Sequence, residues 1–269
     1  MKTLLIICIV FLYNLGILAQ PKFEIDQKTV QFENKEIQLS GVLVSPKTDK
    51  KVPLIILVPN GWSSRSINTA ELYAKNGIAC FTYDSRDKDK NMGFDSFKDS
   101  IVDIYSQDLQ FAVKKMHEFK TFNKIGVIGI SMGGWIIERA LINENVDYYV
   151  MISTPTMSFK KSYEWLLASF IKNNVDTNQI NYVKSQRENV LNTHSFEFNP
   201  FDNVKKIMIP SIWIFGANDI NVSVDQAVSD LETIKKTNKI TIKTYEGLDH
   251  SGAFNSELVL NDIINWIRE

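Results

Sequence analysis

Apolar and polar residues change their period several times along this chain, and each change marks an element. Two stretches, 22–32 and 35–45, alternate in short strands, the second through Ile37, Leu39, Val42 and Val44 before the turn residues Ser45-Pro46. Alternation belongs to strands with one covered face. Two in succession predict an antiparallel pair at a sheet edge. Leu54-Ile55-Ile56-Leu57-Val58 has no polar break at all, the pattern of a central strand buried on both faces. The rhythm then repeats. A helix over about 66–76 precedes a strand from Ile78 to Tyr83. A longer helix over about 97–119 precedes Lys124 to Gly129, and one over about 132–143 precedes Tyr148 to Ile152. Apolar strands alternating with helices of this length predict βαβ units and a mostly parallel sheet flanked by helices, an α/β fold.

After Thr154-Pro155 the rhythm breaks. Residues 156–200 hold two helix-like stretches and no good strand. The first carries Phe159, Tyr163, Leu166, Leu167, Phe170 and Ile171 on one helical face. The second carries Ile180, Val183, Val190 and Leu191, with Asn173-Asn174 between the two. Strand rhythm returns with Ser211 to Phe215. A helix over about 223–236, a strand from Lys239 to Tyr245 and a closing helix over about 256–268 complete the chain. The pattern predicts one α/β domain over 20–269 with a helical cap inserted at about 156–205.

The first residues have a different character. Met1-Lys2 is followed by an unbroken apolar run from Leu4 to Tyr13, with weaker apolar sequence to Ala19. This is the layout of a secretory signal peptide over 1–19. The alternative is an uncleaved anchor, but the strongly apolar run is short for a bilayer span and Asn14 interrupts it. The expectation is an exported protein, periplasmic or secreted, with no stable membrane span in the mature chain. Beyond the signal segment only Cys80 remains, so no intrachain disulfide can form. Cys80 lies in the apolar run Ile78 to Phe81 and reads as a buried strand residue.

Composition narrows the function classes. The chain has 269 residues, 44% hydrophobic and 23% charged, and a formal net charge of −1. That length supports a large core. Near-zero charge argues against a nucleic-acid partner, which needs a basic face. Three His in all, with one Cys beyond the signal segment, leave little for a transition-metal site.

The chemistry concentrates in a few segments. Gly129-Ile130-Ser131-Met132-Gly133-Gly134 follows a predicted strand directly and opens a predicted helix. A nucleophile at such a turn sits on strained backbone, small neighbours relieve the crowding, and the helix N-terminus directs partial positive charge at a developing oxyanion. A serine hydroxyl needs a base. Of His117, His194 and His250, the first falls within the long helix and the second within the insertion. His250 lies in Gly247-Leu248-Asp249-His250-Ser251-Gly252, between the last strand and the last helix, where a loop can reach the nucleophile's edge of the sheet. An acid must fix the imidazole. Asp219 follows the strand Ile212 to Phe215 through Gly216-Ala217-Asn218, at the same edge. Asp225 reads as a helix-start residue, and Asp249, adjacent to the His, would point elsewhere. The order Ser131, Asp219, His250 is the one expected of such a triad on this architecture.

These segments, with Val58-Pro59-Asn60-Gly61-Trp62 and Tyr83-Asp84-Ser85-Arg86, resemble the α/β-hydrolase superfamily across essentially the whole mature chain. The resemblance runs toward bacterial esterases and the prolyl-oligopeptidase-like and dienelactone-hydrolase-like branches. It implies backbone N–H donors to an oxyanion at Trp62 and Met132. Asn60 stands where the family usually has His, and Asp87-Lys88-Asp89-Lys90 stands where it often has Gly-x-Gly. Asp84 and Arg86 read as a structural ion pair at a strand end.

The expected function is cleavage of a carboxylic ester through an acyl-enzyme, without a cofactor. The partner would be a small-molecule ester or a short peptide. Phe159, Tyr163, Leu166 and Phe170, with Trp62, could line an acyl or aryl pocket or could only pack the cap onto the domain. The alternatives are a serine peptidase of aminopeptidase or prolyl-oligopeptidase type, with Glu164 or Glu188 as anchor for a substrate amine, or an acyltransferase or thioesterase. A non-catalytic binding module would usually lack a triad member.

Overall fold

The polar edge strands and the apolar central strands join in a single sheet. The computed structural model describes residues 23–35, 37–60, 64–87, 99–192 and 198–269. Eight strands are ordered β1 (Ile25–Asn34), β2 (Ile37–Pro46), β4 (Ala79–Tyr83), β3 (Val52–Leu57), β5 (Phe122–Ile130), β6 (Tyr148–Ile152), β7 (Ser211–Gly216) and β8 (Ile240–Tyr245). β1 and β2 pair antiparallel, β2 meets β4 antiparallel, and every other pair is parallel. The sheet therefore has an antiparallel edge and a parallel body.

Helices cover both faces because the central strands are apolar on both. Leu54 and Ile56 of β3, Phe81 of β4, Met151 of β6 and Trp213 of β7 face one core. Across it lie α2 (Asp99–His117), α3 (Met132–Ala140) and α7 (Val224–Ile234). Ile55, Cys80, Val150 and Ile212 face the other way, toward α1 (Ile67–Lys75) and α9 (Glu257–Arg268). Neighbouring residues of one strand thus enter opposite cores, the period-two rule of a strand covered twice. Cys80 is fully buried among them.

Between β6 and β7 stand α4 (Phe159–Lys172), α5 (Thr177–Asn192) and the short α6 (Pro200–Val204). α4 stops at Asn173, its C-cap, and Asn174 takes a left-handed φ of 51°, a conformation asparagine tolerates better than most side chains. α4 packs on α3 through a small apolar cluster of its own. Trp135 meets Phe159 edge-on at 5.8 Å, and the Trp135 indole N–H donates to Pro155 O at 2.9 Å. The Tyr163 hydroxyl donates to the carbonyl of Val183, tying α4 to α5. Ile171, expected on the packed face of α4, is half exposed.

Two further differences from the sequence reading have clear causes. The segment around His250 is the start of a short helix, α8 (His250–Asn255), rather than a plain loop. Asp84 and Arg86 do not pair with each other. Asp84 accepts from the backbone and side chain of Arg65 at 2.9 and 3.0 Å, and Arg86 Nε donates to Asp108 of α2 at 2.7 Å. Both carboxylates are buried, so each takes a cation of its own. The signal segment, Trp62, the Lys88–Lys90 stretch and His194 lie outside the described residues. Among the described residues no helix is long and apolar enough to cross a membrane.

Candidate active site

Ser131 sits between the end of β5 and the first residue of α3, with φ 53° and ψ −122°. A non-glycine residue there carries strain. The surroundings hold it. The Ser131 N–H donates to Ile152 O at 2.8 Å, anchoring the turn to β6, and Gly134 N–H donates to Ser131 O at 3.0 Å. The glycines around it act unequally. A Cβ at Gly129 would lie 2.7 Å from the carbonyl carbon of Gly133, whereas one at Gly133 would meet nothing closer than Val58 O at 3.5 Å. Gly129 is the position that the tight strand-to-helix turn requires. Met132 opens α3, where helical N–H groups lack intrahelical acceptors.

Asp219 arrives from the end of β7. Ala217 N–H donates to Tyr245 O and Asn218 N–H to Leu248 O, both at 2.9 Å. A Cβ on Gly216 would lie 2.4 Å from Leu248 O, so a glycine here lets the segment before His250 close onto the strand. This close approach brings Asp219 and His250 together. His250 Nδ1 lies 2.7 Å from Asp219 Oδ2. With the carboxylate as acceptor, Nδ1 carries the hydrogen of this pair, and Nε2 is the ring nitrogen left for another partner. Asp219 Oδ1 accepts from the N–H groups of Asn221 at 2.7 Å and Val222 at 3.0 Å. The Asp219 side chain is 0% exposed, yet three donors surround its charge.

Asp249 caps α8, its Oδ1 accepting from Gly252 N–H at 2.6 Å. Its carboxylate is engaged by the helix it starts, and it fixes the turn from which His250 projects. Asp225 lies in the first turn of α7. His117 is the exposed last residue of α2.

Ser131 and His250 line one cavity of about 540 Å³, under α4 and α5. Met132 and Trp135 of α3 line it too, as do Phe159, Tyr163, Leu166 and Phe170, the four residues singled out for the pocket. The cavity also takes in Asn221 and Val222, next to the carboxylate, and Asn178, Gln179 and Tyr182 of α5. Sequence reasoning missed these. Trp135 alone had a signal, four residues beyond Ser131 on the same helical face.

Another buried carboxyl lies in α3, outside this cavity. Glu138 is fully buried, and neither of its oxygens has a hydrogen-bond partner among the described residues. Burial pushes its pKa well above the usual carboxylate range, favouring the neutral form.

No family model matches the chain, and no curated protein matches it in sequence. Solved structures do match it in fold. The chain is similar to the Pyrococcus furiosus esterase Pf2001, with a TM-score of 0.69 and 22% identity over 91% of each chain. It is similar to a Pyrococcus horikoshii acylaminoacyl peptidase, with a TM-score of 0.68 and 15% identity over 92% of this chain and 42% of that one. It is also similar to the α/β hydrolase GrgF from a Penicillium species, with a TM-score of 0.65 and 14% identity over 90% and 98%. With its antiparallel edge, its parallel body and these likenesses, the chain has the fold of the α/β-hydrolase superfamily.

Proposed function

We propose that this protein is a serine hydrolase that cleaves carboxylic esters. One observation carries the reading: a serine on a strained strand-to-helix turn shares a cavity with an imidazole whose far nitrogen is held by a buried carboxylate. In this reading Ser131 Oγ attacks the acyl carbon and its proton passes to His250 Nε2. Asp219 remains ionised, orients the ring and stabilises the imidazolium. The oxyanion is met by the N–H of Met132 and, by resemblance, that of Trp62. His250 returns the proton to the leaving alkoxide. Water then repeats the sequence on the acyl-enzyme, releasing the acid and restoring Ser131. No step calls for a cofactor.

An ester is favoured over a peptide by what lines the cavity. A peptidase that recognises a free amine needs an acidic anchor beside the nucleophile. Glu164, one of the two anchors considered, lines a separate surface groove with Lys160 and Lys161, and the side chain of Glu188, the other, lies outside the described residues. We also read residues 1–19 as an export signal, so N-terminal sequencing of the mature protein should begin close to Gln20.

The test is hydrolysis of p-nitrophenyl acetate by the protein and by Ser131→Ala. The variant should lose about 10⁴-fold or more in kcat. Equal activity in both would remove Ser131 from the mechanism.

A further inference from the structure

The cavity above Ser131 has a polarity that its own helices do not share. α4 carries Lys160, Lys161, Glu164 and Lys172, and α5 carries Lys184, with Arg187 and Glu188 beyond it, whose side chains lie outside the described residues. None of the described ones lines the cavity, and no Asp, Glu, Lys or Arg among the described residues does. Of the polar groups that do, Ser162 donates to Met157 O at 3.3 Å and Tyr163 donates to Val183 O. Both hydroxyls are thus engaged in holding the helices. The remaining polar groups are neutral carboxamides, the Tyr182 phenol and His250.

Exposure along the cavity gives it a direction. Trp135, Phe159, Tyr163, Val183 and Val222 are buried. Asn178, Gln179 and Tyr182, on the first turns of α5, are exposed. The walls between α3 and α4 are therefore apolar, Ser131 and His250 are half-buried on the same cavity, and its rim on α5 carries uncharged polar side chains. Leu166 and Phe170, half-buried on successive turns of α4, line the same cavity.

Resting on the serine-hydrolase reading, we propose that the cavity takes the acyl half of the ester as an uncharged, apolar chain. The chain runs from Ser131 toward the mouth at Asn178, Gln179 and Tyr182, and Leu166 and Phe170 set its preferred length. The leaving alcohol receives its proton from His250 and departs. The acyl group, bonded to Ser131 Oγ until water releases it, fills the apolar space. A charged acyl group would lose its water here and find no ionic partner among the described residues.

The test compares p-nitrophenyl acetate, butyrate, hexanoate and octanoate with the p-nitrophenyl half-ester of succinate, and ethyl acetate with octyl acetate. The expected result is a rise in kcat/KM of about fourfold per methylene until the cavity is full. The succinate half-ester should be slower than the butyrate by about 100-fold or more. Leu166→Trp should lower the octanoate-to-acetate ratio by about tenfold, and Leu166→Ala should move the optimum to longer chains. The Ala variant decides if the Trp variant fails to fold. A flat or falling acyl series, or ready cleavage of the succinate half-ester, overturns the inference while acetate turnover by Ser131 leaves the hydrolase reading intact. A rise with alcohol length in place of acyl length also overturns it, assigning the cavity to the leaving group. If no ester is cleaved and Ser131 resists a fluorophosphonate, the hydrolase reading itself falls and the inference falls with it.

Discussion

Two of the buried carboxyl groups, Asp219 and Glu138, are held under opposite terms. Asp219 has its side chain wholly shielded, and its oxygens face two backbone N–H groups and the imidazole of His250. Glu138 is equally shielded, and neither oxygen has a partner among the described residues. One site supplies the donors that let a charge persist without water. The other supplies none among the described residues, and burial drives the group toward its protonated form. Burial by itself therefore does not make a catalytic acid. What distinguishes Asp219 is the set of dipoles that β7 and the loop after it aim at its oxygens.

That contrast can be broken from either side. The largest effect is expected at Asp219. Asp219→Asn leaves the shape but removes the acceptor that fixes the His250 tautomer, so kcat should fall by about 10⁴-fold with the circular dichroism spectrum unchanged. Asp219→Ala should in addition destabilise the fold by about 1–3 kcal/mol, because the N–H groups of Asn221 and Val222 lose their acceptor, as chemical denaturation would read.

Glu138→Met should have the opposite sign. Replacing an unpartnered buried carboxyl with an apolar side chain of similar length should raise stability by about 1–3 kcal/mol and leave catalysis intact. The pH dependence sharpens the point. With its folded pKa raised, native Glu138 keeps a proton that the unfolded chain releases above the ordinary carboxylate range. Its contribution to stability is therefore whole below that range and is lost as pH rises toward the folded value. The gain from Glu138→Met should be larger at pH 8 than at pH 5 in urea titrations. A gain independent of pH would mean that Glu138 is not held neutral.

The smallest effect belongs to a third carboxylate, the exposed Asp249. It caps α8, and Asp249→Ala should cost about 1 kcal/mol, the usual worth of a helix cap. Because α8 begins at His250, a modest fall in kcat should accompany it, far short of that in Asp219→Asn.

Much of this was legible in the sequence because it follows from local pattern. Continuous apolar runs announced β3 and β6, and alternation announced β1 and β2. The turn at Ser131 was marked by Gly129, and Asp219 by its place just beyond a strand. Where the sequence reading failed, distant residues decide the outcome. Glu138, within Trp135-Ile136-Ile137-Glu138-Arg139, carries no local sign of burial. Only the packing of α3 between the sheet, α2 and the inserted helices leaves that side chain without water. Asp84 and Arg86 are close in sequence, yet Arg65 and Asp108, brought in by loop and helix, claim them. The helical start at His250 had a local signal, an Asp three residues before Gly252 acting as N-cap, which the expectation of a loop passed over. The floor of the cavity could be foreseen on α3 and α4. Its rim on α5 could not, since Asn178 and Gln179 look like any solvated turn.

The central claim is that Ser131 is made nucleophilic by the pair His250–Asp219, and covalent labelling tests it most directly. The protein would be treated with a fluorophosphonate and digested, and the modified peptide sequenced by mass spectrometry, beside His250→Ala and Asp219→Asn. The account predicts stoichiometric modification at Ser131, strongly slowed in both variants. Modification at another residue, or labelling of Ser131 at the same rate in all three proteins, would contradict it.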